Sequence, residues 1–368
     1  MELTLLQENL ARALTFVGKT LSTKTQLPVL SNVLLETDNG RLKLSSTNLE
    51  TSVSFWVGAT IEEEGSISVP GRLFTELVNG FSQDKIQLRL DKTVLQLHCG
   101  ESQATLSGMD ASEFPALPQL PEKQEVKISK TLLDETLSFM MIAASTDEGR
   151  PLLTGIRLTN DAVGSWFVAT DGYRLSLRRV AQIKGLEEGI VLSAKTLGEA
   201  YKLLVEQKID ELGIGFSKDK NQVVFSYPNA LLATRLIEGE YPPYSKIIPQ
   251  SHTTRAMCLK ADLLRSVKLA AIFAKESSNI IKLSIGVDKI VVSANSPQIG
   301  ENNTTLEAKV EGEAVEVAFN SRFLLDLLGV FPRDEVVFES AGSLTAGVFK
   351  VSGDDSYLHI IMPVRVQE

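Results

Sequence analysis

The amino-acid sequence predicts an α+β protein made of three tandem, similar domains, each with two helices packed on antiparallel sheets. An amphipathic helical pattern recurs roughly every 125 residues, far longer than the roughly 20 to 50 residues of solenoid repeats and long enough for a domain. Its three copies span residues 5–20, 130–145 and 260–275. A second helix, opened by Pro70, Ala194 and Asn320, follows each copy after strand-like text. Strands therefore come in runs, which favours antiparallel sheets over a doubly wound parallel sheet.

The first helix of the first domain is expected from its apolar spacing. Leu6, Leu10, Ala13, Leu14 and Val17 recur at the interval of a helical face, so these side chains are expected to be buried. The same reasoning applies to the equivalent stretches of the second and third domains.

The strands and the second helix follow from alternation and from proline. Strands are expected at 29–36, 41–46, 52–57 and 66–69, and the last leads into Pro70, which suits the first turn of a helix. That helix, 70–81, is expected to bury Leu73, Leu77 and Val78. Alternating segments at 86–90 and 95–99 then predict a hairpin, followed by a strand at 103–107.

The other two domains repeat this order. The second has expected strands at 190–192, 212–216 and 223–227 around a helix at 195–207, and the third has strands at 315–319 and 336–339 around a helix at 321–329. The predicted domains are residues 1–121, 122–250 and 251–368. Proline-bearing connectors at 114–121 and 241–249 join them, and fixed φ angles predict ordered, extended segments.

Composition favours an ordinary soluble protein. The chain is 43% hydrophobic and 23% charged, and it lacks both a basic leader and an apolar run near the roughly 18 residues that a membrane span needs. A cytoplasmic location is expected. Cys99 and Cys258 lie in different repeats without metal-ligand spacing, so each is expected to be a small buried side chain.

Charge is distributed unevenly along the chain. The net charge is −9, which by itself argues against nucleic acid. The six helical stretches nevertheless total +5 when Lys and Arg are counted against Asp and Glu, which leaves −14 elsewhere. If the helices share one face, that face is positive and can attract DNA. The alternative is that Lys and Arg simply concentrate in helices because they favour them.

No catalytic, metal or cofactor motif is present. His98, His252 and His359 occur singly, one per repeat, and are expected to be structural. The acidic pairs 147–148 and 354–355 lie beside glycine in text that predicts solvated loops. The chain has no nucleophile elbow, Walker loop or dinucleotide fingerprint. A binding function is therefore favoured over an enzymatic one.

Four motifs carry a family resemblance across the whole chain. They are Leu-Pro-Val-Leu-Ser-Asn at 27–32, Thr-Asp-Gly-Tyr-Arg-Leu at 170–175, Glu-Gly-Glu-Tyr-Pro-Pro-Tyr at 238–244 and Ile-Ile-Met-Pro-Val-Arg at 360–365. With the length and the triplication, they resemble the bacterial DNA polymerase sliding clamp, the beta subunit of the replicase. The resemblance implies the DNA clamp fold and a head-to-tail homodimeric ring around duplex DNA. It also implies a processivity factor that is not an enzyme, needs no cofactor and tethers the replicative DNA polymerase, the clamp loader and repair proteins through short linear peptides.

The resemblance also implies site residues. For DNA it points to Arg12, Lys24, Arg72 and Lys195, and helix charge adds Lys202, Arg265 and Lys268. For ring closure it points to Ile272 and Phe273 against an edge strand near Leu106. The implied peptide-binding residues, whose apolar members would alone indicate a core, are Arg150, Leu153, Thr170, Gly172, Tyr173, Leu175, Pro242, Lys246, Ile247, Ile360, Met362, Pro363, Val364 and Arg365.

Two other functions stay open at this point. The first is a cytoplasmic α+β enzyme, which predicts a deep polar pocket with converging titratable groups. The second is a peptide-binding scaffold that never touches DNA, which the acidic net charge favours.

Overall fold

The computed structural model describes residues 1–21, 27–118, 126–186, 189–217, 221–276, 278–298 and 300–365. The chain divides into two units. Unit 1 comprises Met1–Lys127 with Leu203–Leu236, and unit 2 comprises Ile128–Lys202 with Ile237–Glu368.

The same order of strands and helices occurs three times along the described chain. The first copy contains β1 (Glu2–Leu6), α1 (Gln7–Val17), β2 (Asn32–Asp38), β3 (Arg41–Thr47), β4 (Thr51–Gly58), β5 (Thr60–Glu63), β6 (Ser66–Pro70), α2 (Gly71–Gly80), β7 (Lys85–Asp91), β8 (Val94–Cys99) and β9 (Ser102–Ser107). The second contains β10 (Val126–Ser129), α3 (Lys130–Ala143), β11 (Gly155–Asn160), β12 (Ser165–Thr170), β13 (Arg174–Val180), β14 (Ile190–Ser193), α4 (Ala194–Glu206), β15 (Glu211–Phe216), β16 (Gln222–Ser226) and β17 (Ala230–Arg235). The third contains β18 (Thr254–Leu259), α5 (Lys260–Ala274), β19 (Ile280–Gly286), β20 (Lys289–Ser296), β21 (Gly300–Glu307), β22 (Lys309–Gly312), β23 (Val315–Asn320), α6 (Ser321–Val330), β24 (Glu335–Ser340), β25 (Gly347–Val351) and β26 (Asp354–Ile361). The predicted α+β class is confirmed.

Unit 1 contains two antiparallel sheets. One has the strand order β5-β1-β7-β8-β9, and the other includes β15-β16-β17-β4-β3-β2-β6. In the second sheet, β17 pairs with β4 so that Ala230 lies opposite Phe55. Helix α1 contacts α2 and packs on β3 and β4. A strand from the second copy therefore completes the sheet of the first.

Unit 2 follows the same plan. Its larger sheet has the order β14-β11-β12-β13-β26-β25-β24-β18-β22, and its smaller sheet has the order β21-β20-β19-β23. Strand β26 pairs with β13 so that Ile360 lies opposite Leu175. Helix α3 packs on β12 and β13, whereas α5 contacts α6 and packs on β19, β20 and β21. Strand β26 of the third copy thus joins the sheet of the second copy.

The first helix starts later than the sequence predicts. Residues 2–6 form β1, and α1 begins at Gln7. Leu6 caps the helix in an extended conformation and is exposed, so its predicted burial was wrong, whereas Leu10, Ala13, Leu14 and Val17 are buried as expected. Strands β10 and β18 were likewise not predicted, because each short strand runs directly into a helix.

The second helix confirms the predicted burial of Val78 but not that of Leu73. Leu73 is 48% exposed and Leu77 is half-buried, whereas Phe74 and Val78 are completely buried. The helix begins at Gly71 with Pro70 as its cap, so Gly71, Phe74 and Val78 form the buried stripe. The predicted burial of Leu73 was therefore wrong.

The connectors are anchored by aromatic side chains. Phe114 and Tyr241 are buried. The second connector is not extended throughout, because Tyr244–Ile247 form a 3₁₀ turn. Residues 119–121 of the first connector lie outside the described residues. Cys99 and Cys258 are buried free thiols, as expected. Among the described residues, no helix combines the length and hydropathy needed to span a membrane.

Candidate functional site

The centre of the candidate site is the turn that joins β12 to β13. Asp171 Oδ1 accepts hydrogen bonds from the backbone NH groups of Tyr173 (2.8 Å) and Arg174 (2.9 Å). Thr170 Oγ1 donates to the Arg174 carbonyl (2.6 Å) and accepts from the Gly172 NH (3.1 Å). Gly172 has φ +93, a region that side chains disfavour. The turn is thereby fixed, and Tyr173 projects from it with 61% of its surface exposed.

Arg174 ties this turn to helix α6. Its Nε lies 3.1 Å from Asp171 Oδ2, and its Nη1 lies 2.7 Å from Asp326 Oδ2. The guanidinium carbon lies 4.5 Å from the centre of the Phe323 ring, on which Tyr173 also stacks at 6.4 Å. The Arg174 side chain is only 11% exposed, so the arginine orients the site rather than facing a ligand in solvent.

The C-terminal segment lies against the same turn. The Met362 NH donates to the Tyr173 carbonyl (2.8 Å), and the Val364 NH donates to the Ala318 carbonyl (2.8 Å). Pro363 between them has no NH to satisfy. Met362 is exposed, whereas Pro363 and Val364 are half-buried. The described end of the chain is thus fixed in place and presents Met362 beside Tyr173.

The floor of the site is part of the core. Leu175 and Ile360 are buried in one apolar cluster with Tyr241 and Ala346, and Leu152 packs against it. Leu153, the neighbour of Leu152, is also buried. Of the predicted peptide-binding residues, Leu153, Leu175 and Ile360 therefore support the site from beneath.

The rim carries the cationic residues. Arg150 Nη1 donates to the Asp171 carbonyl (3.3 Å), and Arg150 Nε donates to Asp147 Oδ2 (2.9 Å), which holds the pKa of Asp147 below its usual value. Lys246 and Ile247 are exposed on the 3₁₀ turn of the second connector. Tyr244, on the same turn, packs against the cluster that contains Leu175.

The remaining predicted members occupy the same two segments. Pro242 is half-buried and accepts a hydrogen bond from the Tyr244 NH through its carbonyl (2.8 Å). Arg365 is exposed beyond Val364. Sequence reasoning missed Phe323, Asp326 and Ala346, because they come from distant segments that carry no local motif.

A buried serine–histidine pair lies behind this site. Ser176 Oγ is 2.7 Å from His359 Nδ1, and both residues are inaccessible to solvent. Burial lowers the pKa of His359 to about 3, with a further contribution from Arg174. Such an imidazole is a weak base, and substrate has no access to it, so the pair lacks the requirements of nucleophilic catalysis. No group of metal-ligating side chains assembles within the described part of the chain.

The predicted DNA-contact residues lie on helix surfaces. Arg12 and Arg72 are exposed in unit 1, and Lys195, Lys202, Arg265 and Lys268 are exposed in unit 2. Lys202 pairs with Glu199 (2.9 Å) and Arg265 with Asp262 (2.8 Å). Lys24 lies outside the described residues.

The predicted interface residues differ in exposure. Ile272 is 58% exposed on α5, and Phe273 is half-buried. Leu106 is 3% exposed, because its side chain lies on the buried face of its sheet. Strand β9, which contains Leu106, is last in the order of one sheet, and β21 is last in the order of another. Both are edge strands, and each has an outer edge available for pairing.

Known proteins match this chain over nearly its whole length. Family models of the DNA polymerase III beta subunit match as its N-terminal domain over residues 1–118, its central domain over 127–243 and its C-terminal domain over 245–365. The beta sliding clamp of Staphylococcus aureus is 28% identical over 378 residues, which cover 99% of both proteins. The structure is similar to the sliding clamp of Bacillus subtilis (TM-score 0.92, 27% identity) and to the beta subunit from Pseudomonas aeruginosa (TM-score 0.92, 26% identity), each over 100% of both chains.

The repeated fold and its ordered matches define a protein of three consecutive clamp domains. The chain belongs to the DNA polymerase III beta subunit family, that of the bacterial sliding clamps.

Proposed function

We propose that this chain is a processivity factor that closes head to tail with a second copy into a ring around duplex DNA. The observation that carries the proposal is the match of three consecutive clamp domains over the whole chain. We place the domains at residues 1–121, 122–250 and 251–368. A heterologous contact closes into a ring when its rotation fits, and two three-domain chains then suffice. The ring acts in the cytoplasm by binding rather than by catalysis.

The ring holds duplex DNA without reading its sequence. Arg12, Arg72, Lys195 and Lys268 supply phosphate contacts, whereas Lys202 and Arg265 contribute less because each already pairs with a neighbouring carboxylate. Lys24 belongs to the same proposed set. Weak contacts suit sliding, since topology rather than affinity retains the DNA.

Retention on circular DNA tests encirclement directly. The protein, loaded by its clamp loader, is expected to stay on a nicked circle in high salt and to leave once the circle is cut. A groove binder would be released by salt from both forms, because its contacts are electrostatic. A peptide-binding scaffold would be retained on neither, so either result would overturn the proposal.

Ring closure uses the apolar surface of α5 and the free strand edges. Leu106 supports β9 from inside, so the contact of the first domain comes from the exposed side of that strand. Ile272→Asp is expected to convert the dimer to monomer in sedimentation velocity, because it places a charge in an apolar contact. Val287→Asp is the matched control, since Val287 is 85% exposed on a hairpin turn of the same unit. Dissociation of both variants, or of neither, would remove Ile272 from the interface.

The second activity is capture of short linear peptides at the site in unit 2. Tyr173, Ile247 and Met362 expose apolar surface beside a buried floor, and Arg150 and Lys246 lie at the rim. This combination suits a peptide with apolar anchors and acidic flanks. The clients are the replicative DNA polymerase, the clamp loader and repair proteins. Related clamps have been crystallised with griselimycin, which supports a ligand site on this fold.

Truncation of the C-terminal segment tests the site. Removal of residues 362–368 deletes Met362, Pro363, Val364 and Arg365 but leaves β26 complete. We expect binding of a fluorescein-labelled peptide from the replicative polymerase to disappear while the dimer persists in sedimentation velocity. Unchanged peptide affinity, or loss of the dimer, would contradict the assignment.

A further inference from the structure

A cavity of about 370 Å³ lies in unit 1, whereas the site described above belongs to unit 2. Ser54, Trp56 and Leu231 line it from the sheet, and Leu117 lines it from the first connector. Ala116, which also lines the cavity, is exposed. Its volume is within the range of about 300 to 1,000 Å³ that is typical of ligand pockets.

The surroundings of this cavity repeat those of the site in unit 2. Strand β4 pairs with β17 as β13 pairs with β26, so Ser54 opposite Leu231 corresponds to Leu177 opposite Leu358. The first connector begins with Phe114-Pro115 and the second with Tyr241-Pro242, and both aromatic rings are buried.

The turn between β3 and β4 also repeats the turn at the centre of the unit 2 site. Thr47 Oγ1 donates to the Thr51 carbonyl (3.3 Å) and accepts from the Leu49 NH (3.0 Å). Asn48 Oδ1 accepts from the NH groups of Glu50 (3.1 Å) and Thr51 (2.7 Å). Leu49 has φ +74 at the position of Gly172. The correspondence therefore extends to individual hydrogen bonds.

In unit 2 the equivalent space is filled by the protein's own side chains. Leu177 is buried there, and Trp166, Tyr244 and Leu358 pack against the same cluster. The indole of Trp166 is fixed by a 2.6 Å hydrogen bond from Nε1 to Asp161 Oδ2. Two aromatic rings and two isobutyl groups thus occupy this layer.

In unit 1 two of the four positions carry less side chain, because Ser54 replaces Leu177 and Leu117 replaces Tyr244. The indole is retained: Lys43 takes the place of Trp166, but Trp56 lies opposite Lys43 and donates to Asp38 as Trp166 donates to Asp161. The cavity is therefore the space that the Leu177 side chain and the Tyr244 ring fill in unit 2. An aromatic side chain supplied from outside matches the shape that the repeat leaves empty.

The lining suits an uncharged ring. Trp56 is held by a 2.6 Å hydrogen bond from Nε1 to Asp38 Oδ2, and the Lys43 ammonium lies 5.8 Å from its ring centre. Lys43 pairs with Glu36 (3.1 Å), and Ser54 Oγ is 2.9 Å from Ser45 Oγ. These polar groups already have hydrogen-bond or ion-pair partners, so an entering ring leaves none of them buried without a partner. Lys43 additionally favours the face of an aromatic ring.

We propose that this cavity binds an aromatic side chain presented by a short peptide of a partner protein. The cavity is a second docking site on the same chain. It rests on its own geometry and stands whether or not the unit 2 site binds peptide.

The two tryptophans of the chain allow a direct test. Trp56 lines the cavity and Trp166 lies in unit 2, so full-length protein labelled with 5-fluorotryptophan gives two ¹⁹F resonances, assigned through Trp56→Phe. Titration with N-acetylphenylalaninamide is expected to shift the Trp56 resonance saturably, with a dissociation constant on the order of 1 mM. N-Acetylalaninamide is the control ligand.

Variants that fill the cavity test whether ligand binding there causes the shift of the Trp56 resonance. Ser54→Leu and Leu117→Tyr each copy the residue of the unit 2 repeat and are expected to weaken binding at least about tenfold, since the ring loses its space. Leu117→Tyr alters a half-buried connector residue, so it tests the idea even if Ser54→Leu destabilises the sheet. Ala181→Phe, at an exposed position of unit 2, is the matched control with expected wild-type affinity.

Three results would overturn the proposal. They are an unshifted Trp56 resonance, an equal shift with N-acetylalaninamide, and unchanged affinity in Leu117→Tyr. Protein lacking residues 362–368 should keep the Trp56 response even though its unit 2 site is incomplete. The two sites can therefore fail separately.

Discussion

His359 is predicted to make unit 2 sensitive to mild acid. The imidazole is fully buried on β26, where Nδ1 faces Ser176 Oγ on β13, and among the described residues Nε2 has no hydrogen-bond partner. Burial, with the nearby Arg174, lowers the pKa of His359 to about 3, against 6.5 for an ordinary histidine. Between pH 6.5 and pH 3, His359 is therefore protonated in the unfolded chain but neutral in the folded chain.

The magnitude follows from this difference in pKa. Because the pKa of His359 is lower in the folded state, its contribution to the unfolding free energy is fully present above pH 6.5. This contribution is lost as the pH falls toward 3. Each pKa unit corresponds to about 1.4 kcal/mol, so unit 2 should lose about 2 kcal/mol of unfolding free energy through His359 between pH 7.5 and pH 5.

Urea unfolding of His359→Gln at the two pH values measures the effect. Trp166 reports on unit 2 when Trp56→Phe is present in both proteins being compared. We expect the acid-induced loss in the glutamine variant to be about 2 kcal/mol smaller than in its parent. His98→Gln, in unit 1, is the control and should leave the Trp166 transition unchanged. An equal loss in His359→Gln and its parent would refute the reasoning.

Three further predictions concern stability and reactivity. Arg174→Ala should lower the unfolding free energy of unit 2 by about 2 to 4 kcal/mol, and a double-mutant cycle with Asp326→Asn should show coupling near 1 kcal/mol, since that carboxylate is half-exposed. Phe74→Ala should cost unit 1 about 3 to 5 kcal/mol in urea, whereas Leu73→Ala on the exposed side of the same helix should cost less than about 1; equal costs would contradict the assigned face. Burial raises the pKa of the Cys258 thiol to about 12. In the native protein Cys258 should therefore resist a disulfide reagent at pH 8, and it should react after unfolding. Rapid reaction of Cys258 in the native protein would contradict the burial of this thiol.

The fold could be predicted because its signals are local and repeated. The interval between helical patterns predicted the number of domains, and the occurrence of strands in runs, rather than singly between helices, predicted the antiparallel class. Strand β1 was not predicted, because only Leu3 and Leu5 alternate with polar residues before the helix starts at Gln7. So short a run is absorbed into the helical pattern that follows it.

The candidate site could be predicted only where its residues form motifs. Tyr173 and Met362 lie in recognisable sequences, and a backbone hydrogen bond joins them. Phe323 and Asp326 stand more than a hundred residues from the turn that they hold, so only the folded chain reveals their role. Leu175 and Ile360 illustrate the reverse case, since a motif marks them but burial places them beneath the site.

Strand exchange between successive copies sets the order in which the chain matures during synthesis. Residues 51–58 await their partner strand at 230–235, and residues 174–180 await theirs at 354–361. While the ribosome is still making those later strands, each sheet exposes an unpaired edge, and such edges promote aggregation. The sheet of unit 2 is completed only after residues 354–361 have left the exit tunnel, so termination before these residues leaves a nascent chain with an open edge.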